Sequence, residues 1–149
     1  MKKLKYCAFF FFVLFGTTLI AQKSALPKKV LATFEKKFPG VDDVESEVKT
    51  KGDYKIKFKF NGKKTEIEIA DDGTWEKTTT KLSFEDLPQE VKTSVNAQKK
   101  KAEISGVKSV VTNKSEIIYK IELKEGGKKT KLQINKKGKI IKTGIGKKE

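Results

Sequence analysis

The sequence predicts an α+β fold: two tandem repeats, each a helix followed by a four-stranded antiparallel meander, in a sheet with both helices on one face. Three observations predict it. Each half opens with apolar residues at four-residue spacing, and each continues with apolar and charged residues alternating at period two. The second half also restates the first in order. Leu26-Pro27-Lys28-Lys29-Val30 returns 61 residues later as Leu87-Pro88-Gln89-Glu90-Val91, and Tyr54-Lys55-Ile56-Lys57-Phe58 returns 65 residues later as Tyr119-Lys120-Ile121-Glu122-Leu123. Lys63 to Ile69 matches Lys128 to Ile134 at that offset, as do Gly73 with Gly138 and Lys77-Thr78 with Lys142-Thr143. A four-residue insertion after the second helix accounts for the change of offset.

In the first helix Leu26, Val30, Phe34 and Phe38 share a stripe that Leu31 broadens. Ser24 is the expected N-cap, Pro27 falls in the first turn, and Phe38-Pro39-Gly40 stops the helix. A strand through Val44, Ser46 and Val48 follows. The next strand puts Tyr54, Ile56, Phe58 and Phe60 on one side and Lys55, Lys57 and Lys59 on the other. Asn61-Gly62 is a two-residue hairpin signal. The returning strand faces Thr65, Ile67 and Ile69 inward and Lys64, Glu66 and Glu68 outward. Asp72-Gly73 turns into a short strand through Trp75 and Lys77. Trp75 aligns with Ile140 and is read as a core-edge residue; as an exposed tryptophan it would be a binding anchor.

The second helix has Asp86 as its expected cap, Pro88 in its first turn, and Leu87, Val91 and Val95 as its stripe. That stripe fades at Gln98 through Lys101, so this helix is expected to be shorter or less deeply buried. Strands are expected over Val107 to Val111, Ile117 to Lys124, Lys129 to Asn135 and Lys139 to Thr143, turning at Gly126-Gly127 and Lys137-Gly138.

Ahead of the repeats lies a secretory signal peptide. Lys2, Lys3 and Lys5 precede an apolar run from Ala8 to Leu14 with Phe15, and small residues lead to a cut after Ala21. The apolar stretch falls short of the ~20 residues that span a bilayer. Cys7 precedes the apolar core, so it cannot mark a lipoprotein. The organisation is therefore a signal peptide over 1–21, a first repeat over 22–82 and a second over 83–149, with a periplasmic or secreted mature chain. That mature chain has no cysteine, so its stability rests on burial and sheet pairing.

The formal charge is +15, of which three leader lysines account for three, leaving +12 in the mature chain. All 34 basic residues are lysine. Arginine's planar fork is what makes bidentate phosphate and base contacts, whereas lysine supplies diffuse, salt-sensitive attraction. Nucleic acid is therefore not the expected partner.

Catalytic readings find little to hold. A mature chain without histidine or cysteine has no Ser-His-Asp or Cys-His site and lacks the commonest zinc ligands. Ser46-Glu47-Val48-Lys49 and Ser105-Gly106-Val107-Lys108 match Ser-x-x-Lys, but on expected strands, where a working dyad wants its serine at a helix start. Asp42-Asp43 and Asp71-Asp72 fit no Ca²⁺ loop spacing, and Asp72-Gly73 is already a turn. Glu66 and Glu68 lie among lysines that keep them ionised, unlike a glycosidase acid. No metal, cofactor or enzymatic activity is expected.

Taken together, the Leu-Pro openings, the Phe-Pro-Gly stop, the Tyr-x-Ile-x-Phe strand and the Asp-Gly turn give a pattern that resembles exported PepSY-like proteins of Bacteroidetes-type bacteria. Their fold is compared with that of the β-lactamase inhibitory protein. The resemblance covers nearly all of residues 24–145. It implies a periplasmic or surface binding module, such as an inhibitor, and supplies no catalytic residues; a shared fold does not transfer a target. The expected partner surface is the polar sheet face: Lys55, Lys57, Lys59, Glu66, Glu68, Lys120, Glu122, Lys131 and Gln133. An acidic protein or envelope component is the expected partner. The alternative is association of the lysines as a whole with lipid phosphate or acidic polysaccharide.

Overall fold

A computed structural model describes residues 25–49 and 51–146. The expected signal peptide, the expected cut after Ala21 and the expected cap Ser24 lie outside the described residues. Elements run α1 (Lys28–Lys37), β1 (Val44–Val48), β2 (Tyr54–Phe60), β3 (Lys63–Ile69), β4 (Trp75–Lys81), α2 (Gln89–Lys99), β5 (Glu103–Thr112), β6 (Ile117–Glu125), β7 (Lys128–Asn135) and β8 (Ile140–Gly146). The eight strands form one antiparallel sheet in sequence order, each paired with its neighbours in the chain.

Local chemistry explains the hairpins. Asn61 and Gly62 adopt φ of 48° and 74°, the left-handed pair that a two-residue turn between twisted strands requires. This turn sets Ile56 opposite Ile67 and Lys57 opposite Glu66, so one face collects the apolar set and the other the charges.

The ladder also fixes where the helices sit. Ile67 pairs Thr78, Thr78 pairs Val111, and Val111 pairs Ile117; directly opposed residues share a face. Val107, two pairs along β5 on that face, opposes Ile121. Both helices therefore pack on the same side. Beneath α1, Val30 and Phe34 close on Ile56, Phe58, Ile67 and Ile69. Phe34 meets Phe58 edge-on with ring centroids 5.1 Å apart. Beneath α2, Val91 and Val95 close on Val107, Ile121, Leu123, Leu132 and Ile134.

Several expectations change. Each helix begins after its proline, with Pro27 and Pro88 at the N-cap and no side-chain cap bond. Asp86 instead accepts from the Ser83 amide and hydroxyl and from Lys63 Nζ, holding the loop before α2. The second helix is not the shorter one: α2 has 11 residues to α1's 10, and Val91 and Val95 are fully buried. Strand β4 runs to Lys81, well past Lys77, because Thr78, Thr79 and Thr80 suit a pleated strand and pair on both sides.

Two latches tie the helices to the far turns. Thr33 Oγ1 donates to the Gly73 carbonyl at 2.7 Å, and Ser94 Oγ donates to the Gly138 carbonyl at 2.6 Å.

Candidate functional site

Among the described residues nothing covers the sheet face opposite the helices, and it is not flat. It encloses a trough of about 830 Å³ lined from both halves, by Glu45, Lys57, Glu66 and Glu68 on one side and by Lys108, Lys120 and Glu122 on the other. All nine residues of the expected partner surface fall on this face, as the alternating registers of β2, β3, β6 and β7 require. They form two electrostatic regimes.

Over β1 to β4 most charges are paired, Lys59 opposite Lys64 being the exception. Glu47 takes Lys55 at 2.9 Å and Lys57 at 3.1 Å, and Lys55 also lies 4.0 Å from Glu66. Hydrogen bonds from Lys55 and Lys57 hold the Glu47 carboxyl below its ordinary value. Glu68 takes Lys49 at 2.6 Å and Lys77 at 2.9 Å. Although the sequence places it on a solvated face, Glu68 is only 4% exposed, shielded by the two lysine stems rather than sunk in a core. Burial pushes its carboxyl up, but the Lys49 and Lys77 hydrogen bonds outweigh that and hold it below the usual range. In the sequence Lys49 stands out only as the last residue of the Ser46-Glu47-Val48-Lys49 match.

Over β4 to β8 a row of like charges crosses the face, although Glu122 opposes Lys131 beside it. Lys81 opposes Lys108, Lys108 opposes Lys120, Lys120 opposes Gln133, and Gln133 opposes Lys142. Among the described residues none of these four lysines forms an ion pair. Burial, then the charges of Lys108, Lys77 and Lys142, lower the pKa of Lys120 against the opposing pull of Glu68. Beside the row, Val110 opposes Ile118 on the same face, and Val110 is only 5% exposed despite having no helix above it. Sequence reasoning found Lys120 and Gln133 but missed Lys81, Lys108 and Lys142, whose alignment depends on the β4–β5 and β7–β8 registers.

The remaining candidates play structural parts. Ser46 is buried on β1 while Lys49 is engaged by Glu68, and Ser105 Oγ donates to the Glu122 carbonyl; neither serine sits at a helix start. Asp72 accepts from the Thr74 amide within its turn. Trp75 packs against the first core, donates to Thr78 Oγ1 and carries Lys37 Nζ 3.4 Å above its ring. Among the described residues no three acidic, histidine or cysteine side chains gather into a metal-holding group, and no helix is long and apolar enough to cross a membrane.

Comparison with known proteins supplies the context for this face. A family model described as "Putative beta-lactamase-inhibitor-like, PepSY-like" matches residues 18–64 and 53–142. A DUF2874 family protein of Bacteroides ovatus superposes with a TM-score of 0.75 at 24% identity, over 80% of this chain and 87% of that one. A second such protein, from Bacteroides uniformis, gives 0.75 at 21% identity over 80% and 88%. A BLIP-like protein of Bacteroides fragilis gives 0.73 at 18% identity over 80% and 86%. No curated protein matches the chain. These likenesses establish the fold, and the extent of the family match settles membership: the chain belongs to the PepSY-like, β-lactamase-inhibitor-like family.

Proposed function

We propose that this protein is an exported, non-enzymatic binding module that docks an envelope or secreted protein through the uncovered sheet face. The observation that carries this reading is the trough itself, a sizeable concavity on the one face no helix covers, lined by charged groups from both halves. Membership of an inhibitor-like family supports a binding role, and inhibition of a secreted enzyme is one form such docking takes. The leader over 1–21 supports a periplasmic or secreted mature chain in two copies of one unit, 22–82 and 83–149. The matching latches, Thr33 with Gly73 and Ser94 with Gly138, keep the offsets of the sequence repeat.

The nine residues on the face are the proposed contacts: Lys55, Lys57, Lys59, Glu66, Glu68, Lys120, Glu122, Lys131 and Gln133. The test is capture from envelope extract with low-salt and then high-salt washes, followed by purification of any complex. One protein retained at high salt in fixed stoichiometry, and lost when Lys57 and Lys120 are both changed to Glu, is the expected result. Anionic lipid or polysaccharide that washes away with salt, indifferent to those changes, would establish diffuse lysine-driven association instead.

A further inference from the structure

The two halves of the open face differ in a way that identifies the partner's chemistry. Acidic side chains answer Lys49, Lys55, Lys57 and Lys77 in the first half, where Lys59 opposite Lys64 is the exception, whereas the row Lys81–Lys108–Lys120–Gln133–Lys142 crosses five adjacent strands with no ion pair among the described residues. Like charges directly opposite each other in an antiparallel sheet are destabilising, so this row does not serve the fold. At ~4.8 Å per strand it extends ~19 Å from β4 to β8.

We infer that this lysine row is the seat of an acidic segment of the partner protein, its carboxylates along the row and an apolar side chain over the half-buried Ile118. The inference rests on the reading of the open face as a docking surface and narrows it to one half and one chemistry. Three features favour a protein segment over phosphate polymers, and vesicle binding in the test below separates it from lipid. The floor next to the row is apolar: Val110 and Ile118 oppose each other one register step along the same face, where a phosphate chain has nothing to bury. Gln133 interrupts the row with an amide that can both donate and accept, which suits a peptide backbone or side-chain amide. The row also lacks arginine, the residue whose fork matches phosphate bidentately. Two acids border the row: Glu122, which opposes Gly106 with its Oε2 3.7 Å from where a Cβ of Gly106 would be, and Glu68, whose charge acts on Lys120 but whose carboxylate is held by Lys49 and Lys77.

The experiment uses the protein as exported by its host. The probe is a 15-residue peptide with Glu at every third position and Leu between, compared with its Gln counterpart, a linear polyphosphate and phosphatidylglycerol vesicles. Binding is read by calorimetry and by amide shift changes. The Glu peptide should bind and shift amides of β4 to β8. The K81Q/K108Q/K120Q/K142Q variant should raise its Kd at least tenfold, while the charge-matched K28Q/K36Q/K99Q/K101Q variant changes it less than twofold. Single K120Q, at several-fold, provides a readout with minimal disturbance of the sheet. Equal loss in the charge-matched variant, equal binding of the Gln peptide, or binding of polyphosphate or vesicles alone would overturn the inference.

The captured partner separates this inference from the broader reading. A stoichiometric partner still held by the four-lysine variant sinks the row and leaves the docking face standing. Absence of any partner dependent on the face sinks the docking reading itself.

Discussion

Gly138 offers a measurement of how closely α2 is held to the sheet. Its φ is 80°, and a Cβ there would meet the Glu90 carbonyl oxygen at 2.6 Å and Ser94 Oγ at 3.1 Å. Gly62 has nearly the same backbone, φ 74°, but a Cβ there meets nothing within 4 Å. Alanine at either site incurs left-handed strain of roughly 1–2 kcal/mol, partly offset by a stiffer unfolded chain at ~0.4–1 kcal/mol. Gly138→Ala adds overpacking of roughly 1–3 kcal/mol. It also threatens the 2.6 Å bond from Ser94 to the Gly138 carbonyl, with a net value of about 0.5–1.5 kcal/mol. The difference between the two variants should therefore be ~2–4 kcal/mol, read as the gap in unfolding free energy from urea titrations followed by far-UV circular dichroism. Because strain and chain entropy cancel in that difference, a gap below about 1 kcal/mol would refute the close approach of α2 to the β7–β8 turn.

Three further outcomes follow from the packing and the charges. Phe34→Ala removes a fully buried ring that packs on Phe38 and Phe58, and should cost about 3–5 kcal/mol in urea unfolding. Glu47 and Glu68 have folded pKa values below their ordinary ones, so their contribution is complete above the unfolded value of ~4.3 and lost as pH falls through the folded values. Unfolding free energy should thus drop from pH 6 to pH 3 more steeply in the native protein than in Glu68→Gln, and parallel curves would remove Glu68 from the account. Lys120 is lowered by burial and its lysine neighbours, so its charged form strains the fold; Lys120→Met should raise stability by a few tenths to about 1 kcal/mol at pH 7. That gain should shrink in 1 M salt, and a loss of stability would show that the stem packs more than the charge repels.

Short-range chemistry was legible in the sequence, and three-dimensional neighbours were not. The Asn61-Gly62 turn forces a register that anyone can count outward, so Lys55 opposite Glu68 and Lys57 opposite Glu66 follow directly. The Gly126-Gly127 turn sets Lys120 opposite Gln133 in the same way. Across β4–β5 no such counting works, because α2 and its loops intervene; the approach of Lys81 to Lys108 is set by packing. Glu68 shows a second limit. Alternation correctly put it on the polar face, yet its burial depends on Lys49, from the end of β1, and Lys77, from β4, converging on one carboxylate. The caps failed for a third reason. Asp86 has the chemistry of a helix cap, but Lys63 and Ser83 compete for its oxygens, and Pro88, lacking an N–H, already occupies the cap position.

The seam between the halves explains how this sheet separates stability from recognition. On the helix side, β4 meets β5 through Thr78 opposite Val111 and Thr80 opposite Ser109, and the buried cores under α1 and α2 are distinct clusters. Apolar packing is therefore local to each half, and the backbone ladder from Lys77–Thr112 to Lys81–Lys108 joins them. On the open side the same seam carries Thr79 opposite Val110, with Val110 shielded from solvent. The trough runs across it, drawing Lys57 and Glu66 from one half and Lys108 and Lys120 from the other. A partner lying in that trough bridges halves whose cores do not touch, so its binding would stabilise their relative placement as well as its own contacts. The lysines of the row are left without an ion pair among the described residues, and an acidic ligand there would relieve the repulsion that the free protein carries.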